Sequence, residues 1–267
     1  MSAPTSVTYP SIPMPRTVPM SVSVVIPAKN EARNIGWVLE RMPSYVDEVI
    51  IVDGLSTDGT LEVAKLIAPD VLVVHEPRPG KGAAMRAGMA VARSDCIVVM
   101  DADGSMDPME IHLYVDALAE GADLAKGSRF VEGGGSTDIT RLRQFGNAQL
   151  LALANALFRT DFTELCYGFM ALRHSAIPRL ALDADGFEIE TQIVTRAVRV
   201  GLRISEVPSH EAPRRYGESN LRTFRDGWRV LRAMLREWRT SVPEGAPATA
   251  LTVVGDELQS VEEAVAG

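Results

Sequence analysis

From Ser21 onward, short runs of β-branched and apolar residues alternate with longer stretches in which apolar positions recur every three or four residues. Val22–Ile26 is apolar enough to be a strand covered on both faces, with Pro27 expected to end it. Asn30 to Leu39 follows as a helix, with Ile35, Val38, Leu39 and Met42 inward. Val49–Val52 is the second strand, and Thr60 to Ala68 a helix with Leu61, Ala64 and either Leu66 or Ile67 inward. Val71–Val74, the helix Gly82–Ala92 and the strand Ile97–Met100 complete the first half. This alternation predicts βαβ units around a mainly parallel sheet. Ligand loops then lie beyond the carboxyl ends of the strands. The stretches 27–31, 53–59, 75–82 and 101–104 all fall on that rim, so one site is expected there.

The second half is less regular. Pro108–Leu118 reads as a helix, Leu124–Arg129 as containing a short strand, and Gly133–Gly135 as a mobile link. The helix Arg143–Phe158, the strand Tyr167–Leu172, the helix Glu188–Val200 and the strand Leu202–Val207 follow. Between Leu221 and Arg239, the apolar Leu221, Phe224, Trp228, Leu231, Leu235 and Trp238 recur at helical spacing. Arg222, Arg225, Arg229, Arg232, Arg236 and Arg239 fill other positions, opposed by only Asp226 and Glu237. Any helix packed on a core needs such a stripe. The cationic bias favours a helix lying on an anionic membrane surface. Residues 1–20 carry five prolines and one charge, Arg16, and read as a disordered lead-in. Residues 241–267 read as a mostly disordered acidic tail, with a transient strand at Leu251–Val254. What remains is one domain over 21–240, with a nucleotide-binding half, 21–104, and an acceptor half, 105–240.

Composition narrows the classes. A chain of 267 residues, 46% of them hydrophobic, can bury a sizeable core. A net charge of -8 argues against a nucleic-acid partner. Cys96 and Cys166 lack metal-site spacing and read as buried reduced thiols of a cytoplasmic protein. No apolar run approaches the roughly 20 residues that cross a bilayer. The four histidines form no HxxH or HExxH. GxSxG, Walker A and a GxGxxG after the first strand are all missing.

Candidate chemistry centres on Cys96-Ile-Val-Val-Met-Asp-Ala-Asp-Gly104, where a buried strand runs into two carboxylates. Asp101 and Asp103 share one side of an extended chain and need a counter-charge. Hard oxygen ligands of this kind suit Mg²⁺ or Mn²⁺ together with the phosphates of a substrate. Asp53, at a strand end, can accept hydrogen bonds from a nucleobase or ribose, while Asp58 reads as a helix cap. Arg78-Pro-Gly-Lys-Gly-Ala-Ala-Met-Arg86 places glycines and Lys81 just before a helix, an anion-holding arrangement. A nucleoside diphosphate bound through a metal at Asp103 fits both the acidic and the basic parts of the rim.

The ordered set Val25-Ile-Pro-Ala-Lys-Asn-Glu31, Val52-Asp-Gly-Leu-Ser-Thr-Asp-Gly-Thr60, Gly80-Lys-Gly82 and Asp101-Ala-Asp103 resembles the family 2 glycosyltransferases of GT-A fold. Lys126-Gly-Ser-Arg129, Gly168-Phe-Met170, Gly186-Phe-Glu-Ile-Glu190, Glu206-Val-Pro208 and Arg214-Arg-Tyr-Gly-Glu-Ser219 extend the resemblance to about residue 235. Within the family the likeness is to dolichyl/polyprenyl-phosphate mannosyltransferases and their glucosyl relatives. It implies an α/β fold with a mainly parallel sheet, and inverting, metal-dependent transfer of a hexose from a nucleotide diphosphate sugar of GDP-mannose or UDP-glucose type. The implied acceptor is polyprenyl or dolichyl phosphate, met on the cytoplasmic face of an anionic membrane. The alternatives are a small soluble hydroxyl or phosphorylated metabolite as acceptor, or an inactive nucleotide-sugar-binding scaffold; a homo-oligomer is compatible with each.

By the same resemblance Pro27, Ala28, Asn30, Glu31, Asp53, Lys81, Asp101, Ala102 and Asp103 hold the donor, and Asp103 with Asp101 holds the metal. Asp101, Asp103, Arg129, Glu190 and Arg214 carry the reaction, with Arg129 and Arg214 facing phosphate groups. Glu190 orients sugar or metal if the acceptor is already an anion, whereas a hydroxyl acceptor needs a general base. Two departures bear on mannose and lipid but leave sugar transfer intact. Ser219-Asn220 stands where the family has Ser-Lys, and Asp161-Phe-Thr-Glu-Leu-Cys-Tyr-Gly168 where mannosyltransferases have a shorter Asp-x-Thr-Ser-Gly.

Overall fold

A computed structural model describes residues 20–217 and 223–240. The lead-in 1–19, Ser219-Asn220, Leu221, Arg222 and the tail 241–267 lie outside the described residues. The first half runs β1 (Val22–Ala28), α1 (Ile35–Glu40), β2 (Glu48–Asp53), α2 (Thr60–Ile67), β3 (Leu72–His75), α3 (Lys81–Val91) and β4 (Cys96–Val99). The second runs α4 (Ile111–Ala119), β5 (Leu124–Ser128), β6 (Gly135–Ser136), α5 (Arg141–Phe158), β7 (Met170–Arg173), α6 (Ile177–Leu180), α7 (Ile189–Arg199), β8 (Ile204–Pro208), β9 (His210–Glu211) and α8 (Thr223–Arg239). Seven strands form one sheet in the order β3-β2-β1-β4-β7-β5-β8, and β6 pairs with β9. All neighbours in the large sheet are parallel except β7, which runs antiparallel to both β4 and β5.

The apolar runs of β1, β2 and β4 are buried because helices cover both sheet faces. On one face Val25, Val52, Ile97 and Val99 meet Met85 of α3, Ile193 of α7 and Met234 of α8. On the other Val24, Ile26, Ile51 and Val98 meet Ile35 and Val38 of α1 and Tyr114 of α4. Each fully buried aliphatic side chain contributes about 1.5 to 3 kcal/mol.

Several boundaries move for identifiable reasons. Pro27 does not end β1. The last β4 rung pairs Val25 with Val99, so the proline nitrogen faces that side beyond the ladder, where no donor is needed. The first helix starts at Ile35 rather than Asn30, because Asn30 sits at φ 58° and the next residues form a turn closed on Glu31 O. In α2 Ala64 is buried and Leu66 is 82% exposed, which leaves Ile67 as the inward choice. Gly135 is a strand residue paired with His210 rather than part of a mobile link. Strand β7 starts three residues after Tyr167.

Helix α8 buries Asp226, Val230, Ala233, Met234 and Glu237, while Trp228 and Trp238 are 59% and 51% exposed. Its rotation is set by Glu237, which accepts from Arg196 Nε at 2.8 Å and Gln192 Nε2 at 2.9 Å on α7. The inward stripe is therefore not the tryptophan-bearing one that helical spacing picks out. No helix among the described residues is long and apolar enough to cross a membrane. Both cysteines are free.

Candidate active site

The carboxyl ends of β1, β2 and β4 open into a cavity of about 520 Å³. Pro27, Ala28, Gly54, Leu55, Pro77, Arg78 and Lys81 line one end. Ile139, Asn147, Leu150 of α5 and Gly227 and Val230 of α8 line the other. Asp101, Ala102, Asp103, Arg129, Glu190 and Arg214 also line it. The four rim stretches thus meet in one place, as their common position on the sheet requires.

Lys81 opens α3 and enters the wall because two glycines flank it. A Cβ on Gly80 would lie 2.1 Å from Asp185 O, and one on Gly82 2.4 Å from Ala184 O. The backbone of 184–186 clamps this turn, and Ala83 N donates to Asp185 O. The Lys81 ammonium sits 2.6 Å from Asp101 Oδ1 and 2.8 Å from Glu190 Oε1. Burial alone disfavours its charge, but the two carboxylates outweigh that and hold its pKa above the usual lysine value.

Asp103 turns elsewhere. Its Oδ1 accepts from Ser105 N at 3.0 Å and Ser105 Oγ at 2.7 Å, and its Oδ2 meets Arg214 Nη1 at 3.3 Å. Burial, and then the charge of Asp101, push its carboxyl above the usual range. The two aspartates therefore do not converge on one point: Asp101 is engaged by Lys81, Asp103 by Ser105 and Arg214. Among the described residues no three His, Cys, Asp or Glu side chains form a metal-sized group.

These residues fit a divalent ion held by one carboxylate, Asp103, that completes its shell from substrate phosphates and water, as Mg²⁺ commonly does. They do not make a protein-only cage. Charge supports that fit. The lining carries the carboxylates Glu31, Asp101, Asp103, Asp138, Glu190, Glu211 and Asp226 against Lys29, Arg78, Lys81, Arg129 and Arg214.

Not every expected residue reaches the cavity. Asp53 folds back to accept from Ser56 N at 3.1 Å and is 3% exposed, so it holds its own turn instead of lining the wall. Asn30 ties two loops, accepting from Thr57 N at 2.9 Å through its Oδ1. Asp53→Ala should weaken nucleotide binding only indirectly, through a loosened turn, by about 1 kcal/mol. Asp53→Asn, which keeps an acceptor, should leave calorimetric affinity nearly unchanged. Asp58 accepts from Thr60 N at 3.1 Å at the start of α2, the capping role its position suggests.

Arg129 and Arg214 do line the cavity, but each is already paired with two carboxylates. Arg129 Nε donates to Glu164 Oε1 at 3.0 Å, and its Nη1 to Glu211 Oε2 at 2.7 Å. Arg214 bonds Glu31 and Asp103, and its Nε donates to Tyr216 O at 2.8 Å. The sequence reading missed Glu164 and Glu31 as their partners. A lone acid between Thr163 and Leu165, beside a run of apolar residues, is the one available signal for a buried ion pair.

A family model described as glycosyl transferase family 2 matches residues 23–180. Glycosyltransferase AglJ of Haloferax volcanii is 30% identical over 231 residues, 84% of this chain and 74% of that relative. Polyprenol monophosphomannose synthase of Mycolicibacterium smegmatis is 31% identical, over 80% of this chain and 85% of its own length. Among solved structures, glucosyl-3-phosphoglycerate synthase from Mycobacterium tuberculosis with Mn²⁺, uridine-diphosphate-glucose and phosphoglyceric acid matches at 26% identity and TM-score 0.65. That match covers 82% of this chain and 80% of that one. The same enzyme is matched with Mg²⁺ and uridine diphosphate. The Mg²⁺ or Mn²⁺ expectation agrees with these complexes. The expectation of closest kinship with polyprenyl-phosphate mannosyltransferases does not, because the matched structures are of an enzyme crystallised with a small phosphorylated acid. The polyprenyl phosphate acceptor and the anionic membrane partner expected from that kinship are overturned by the same finding.

Proposed function

The chain belongs to glycosyl transferase family 2 and has its α/β GT-A fold, and from that premise we propose that it moves a hexose from a nucleotide diphosphate sugar to a small soluble hydroxyl-bearing metabolite, phosphorylated ones included. The observation that carries this reading is the single cavity in which Lys81, Asp101, Asp103 and Glu190 stand together at the strand ends.

In this reading the diphosphate lies beside Lys81, whose ammonium favours an anion. Asp103 would hold Mg²⁺ or Mn²⁺, which when bound would supply positive charge to the leaving diphosphate. A hydroxyl acceptor must give up a proton as it attacks, and we assign that proton to Glu190, a wall carboxylate already oriented by Lys81 at 2.8 Å. Attack from the face opposite the leaving group inverts the anomeric centre in one displacement.

Purified protein with Mn²⁺ should release uridine diphosphate from UDP-glucose faster when 3-phosphoglycerate or glycerol is added. A proton coupling measured at the product's anomeric carbon should report the inverted configuration. Transfer only to an organic-extractable acceptor, or no sugar transfer from any of UDP-glucose, GDP-mannose and GDP-glucose, would defeat the reading.

A further inference from the structure

Leu55 is held in a conformation that leucine rarely adopts, fixed by the hydrogen bonds of its own loop and not by burial of its side chain. Its φ is 62°, in the left-handed region where a Cβ crowds the backbone. The bonds on either side leave it no alternative. Gly54 N donates to Ala28 O at 2.9 Å, and Ser56 N donates to Asp53 Oδ1 at 3.1 Å. Ser56 Oγ is pinned in turn, accepting from Asn30 N at 2.9 Å. A strained residue normally repays its cost by burial, yet Leu55 is 55% exposed and stands on the cavity wall. Strain of this kind collects where a ligand uses it.

We propose that Leu55 is a positioning residue for the donor, an apolar platform against one face of its nucleobase. The inference rests on the donor reading given above and adds a residue that reading does not use. A base presents polar edges and apolar faces, so its site needs an apolar surface as well as hydrogen-bonding groups. Asp53, the side chain expected to meet the base, is turned to its own loop and does not line the cavity. Leu55, Ala28 and Pro77 supply the apolar wall at that end. The hydrogen bonds on both sides of Leu55 fix its backbone and so the direction of its Cα–Cβ bond, which limits the backbone freedom lost when a base packs on it.

The test is calorimetry on the full chain with Mn²⁺, using UDP, GDP, ADP, CDP and inorganic pyrophosphate as probes. Wild type is compared with Leu55→Asn, which tolerates the left-handed backbone, with Leu55→Gly and with Leu55→Met. Wild type should bind one nucleoside diphosphate more tightly than pyrophosphate. Leu55→Asn and Leu55→Gly should weaken that nucleotide about tenfold while leaving pyrophosphate unchanged, as expected for loss of part of a leucine's apolar contact. Leu55→Met should recover most of the affinity, and no variant should lower the thermal midpoint by more than a few degrees. If the Asn and Gly variants keep the wild-type preference for nucleotide, the platform is wrong while the donor reading stands. If they weaken nucleotide and pyrophosphate equally, the loop has merely moved and the platform is again wrong. A wild type with no preference for any nucleotide over pyrophosphate overturns the donor reading itself, and the platform with it.

Discussion

Asp103→Ala is expected to lower metal-dependent turnover on the order of 10³-fold at saturating donor, the scale seen when one electrostatic stabiliser of a developing charge is removed. The fold should survive. Asp103 borders the cavity, so the groups it leaves behind, Ser105 N–H and hydroxyl and the Arg214 guanidinium, can be rehydrated. Calorimetry should show Mn²⁺-dependent binding of UDP lost in the same variant, while its far-UV circular dichroism matches wild type. Asp101→Ala should behave differently, because Asp101 meets Lys81 at 2.6 Å. There the ammonium keeps only Glu190, so donor binding falls and the thermal midpoint falls with it. Equal, metal-independent activity in wild type and Asp103→Ala would remove the aspartate from the mechanism.

The meeting of the four rim stretches in one cavity was legible because it depends on chain position. Buried strand runs such as Ile97–Met100 can only emerge at one edge of a parallel sheet, so the residues that follow them must meet. Side-chain orientation at that edge was not legible. Asp53 sits at the end of β2 as expected, but the amide of Ser56 three residues on captures its carboxylate. Pairing across the chain was hidden too: Arg129 finds Glu164 and Glu211, and Arg214 finds Glu31 at the opposite end of the domain. The direction of β7 has no local signature, since an apolar run reads the same for parallel and antiparallel neighbours. The phase of α8 depends on a buried acid, Glu237, whose partner Arg196 lies on another helix. Many of the motifs that carry the family resemblance, from Val25 to Asp103, sit at the ends of β1 to β4. They could point to a nucleotide sugar and still mislead about the acceptor.

Arg129→Met should be the most destabilising of these substitutions, and should act through the fold rather than through an acceptor. Its partner Glu164 has a side chain only 1% exposed, and its carboxylate accepts from Arg129 Nε and Nη2, leaving only the backbone N–H of residue 129, at 2.8 Å, once the guanidinium is gone. Removing one member of a buried ion pair leaves an uncompensated charge and costs about 3 to 5 kcal/mol. For a domain of this size that is a drop on the order of 10 °C in thermal midpoint. The dependence on pH gives the cause away. Burial already holds the Glu164 carboxyl above its usual pKa, with Arg129 the main influence pulling it down. Without Arg129 it rises further, so the folded state binds a proton that the unfolded state has released. Stability of the variant should then be greatest below the unfolded-state value and should fall as pH rises through the raised one. Wild type, with the pair intact, should lose less over that interval. The double variant Arg129→Met, Glu164→Gln should regain part of the loss and flatten the pH dependence, since the more deeply buried of the two carboxylates that Arg129 pairs with no longer carries a charge. Thermal melts from pH 5 to 8 separate the two roles. A variant that melts like wild type at every pH but shows a raised acceptor KM would return Arg129 to the substrate, and Glu164 would then be its orienting partner rather than its dependant.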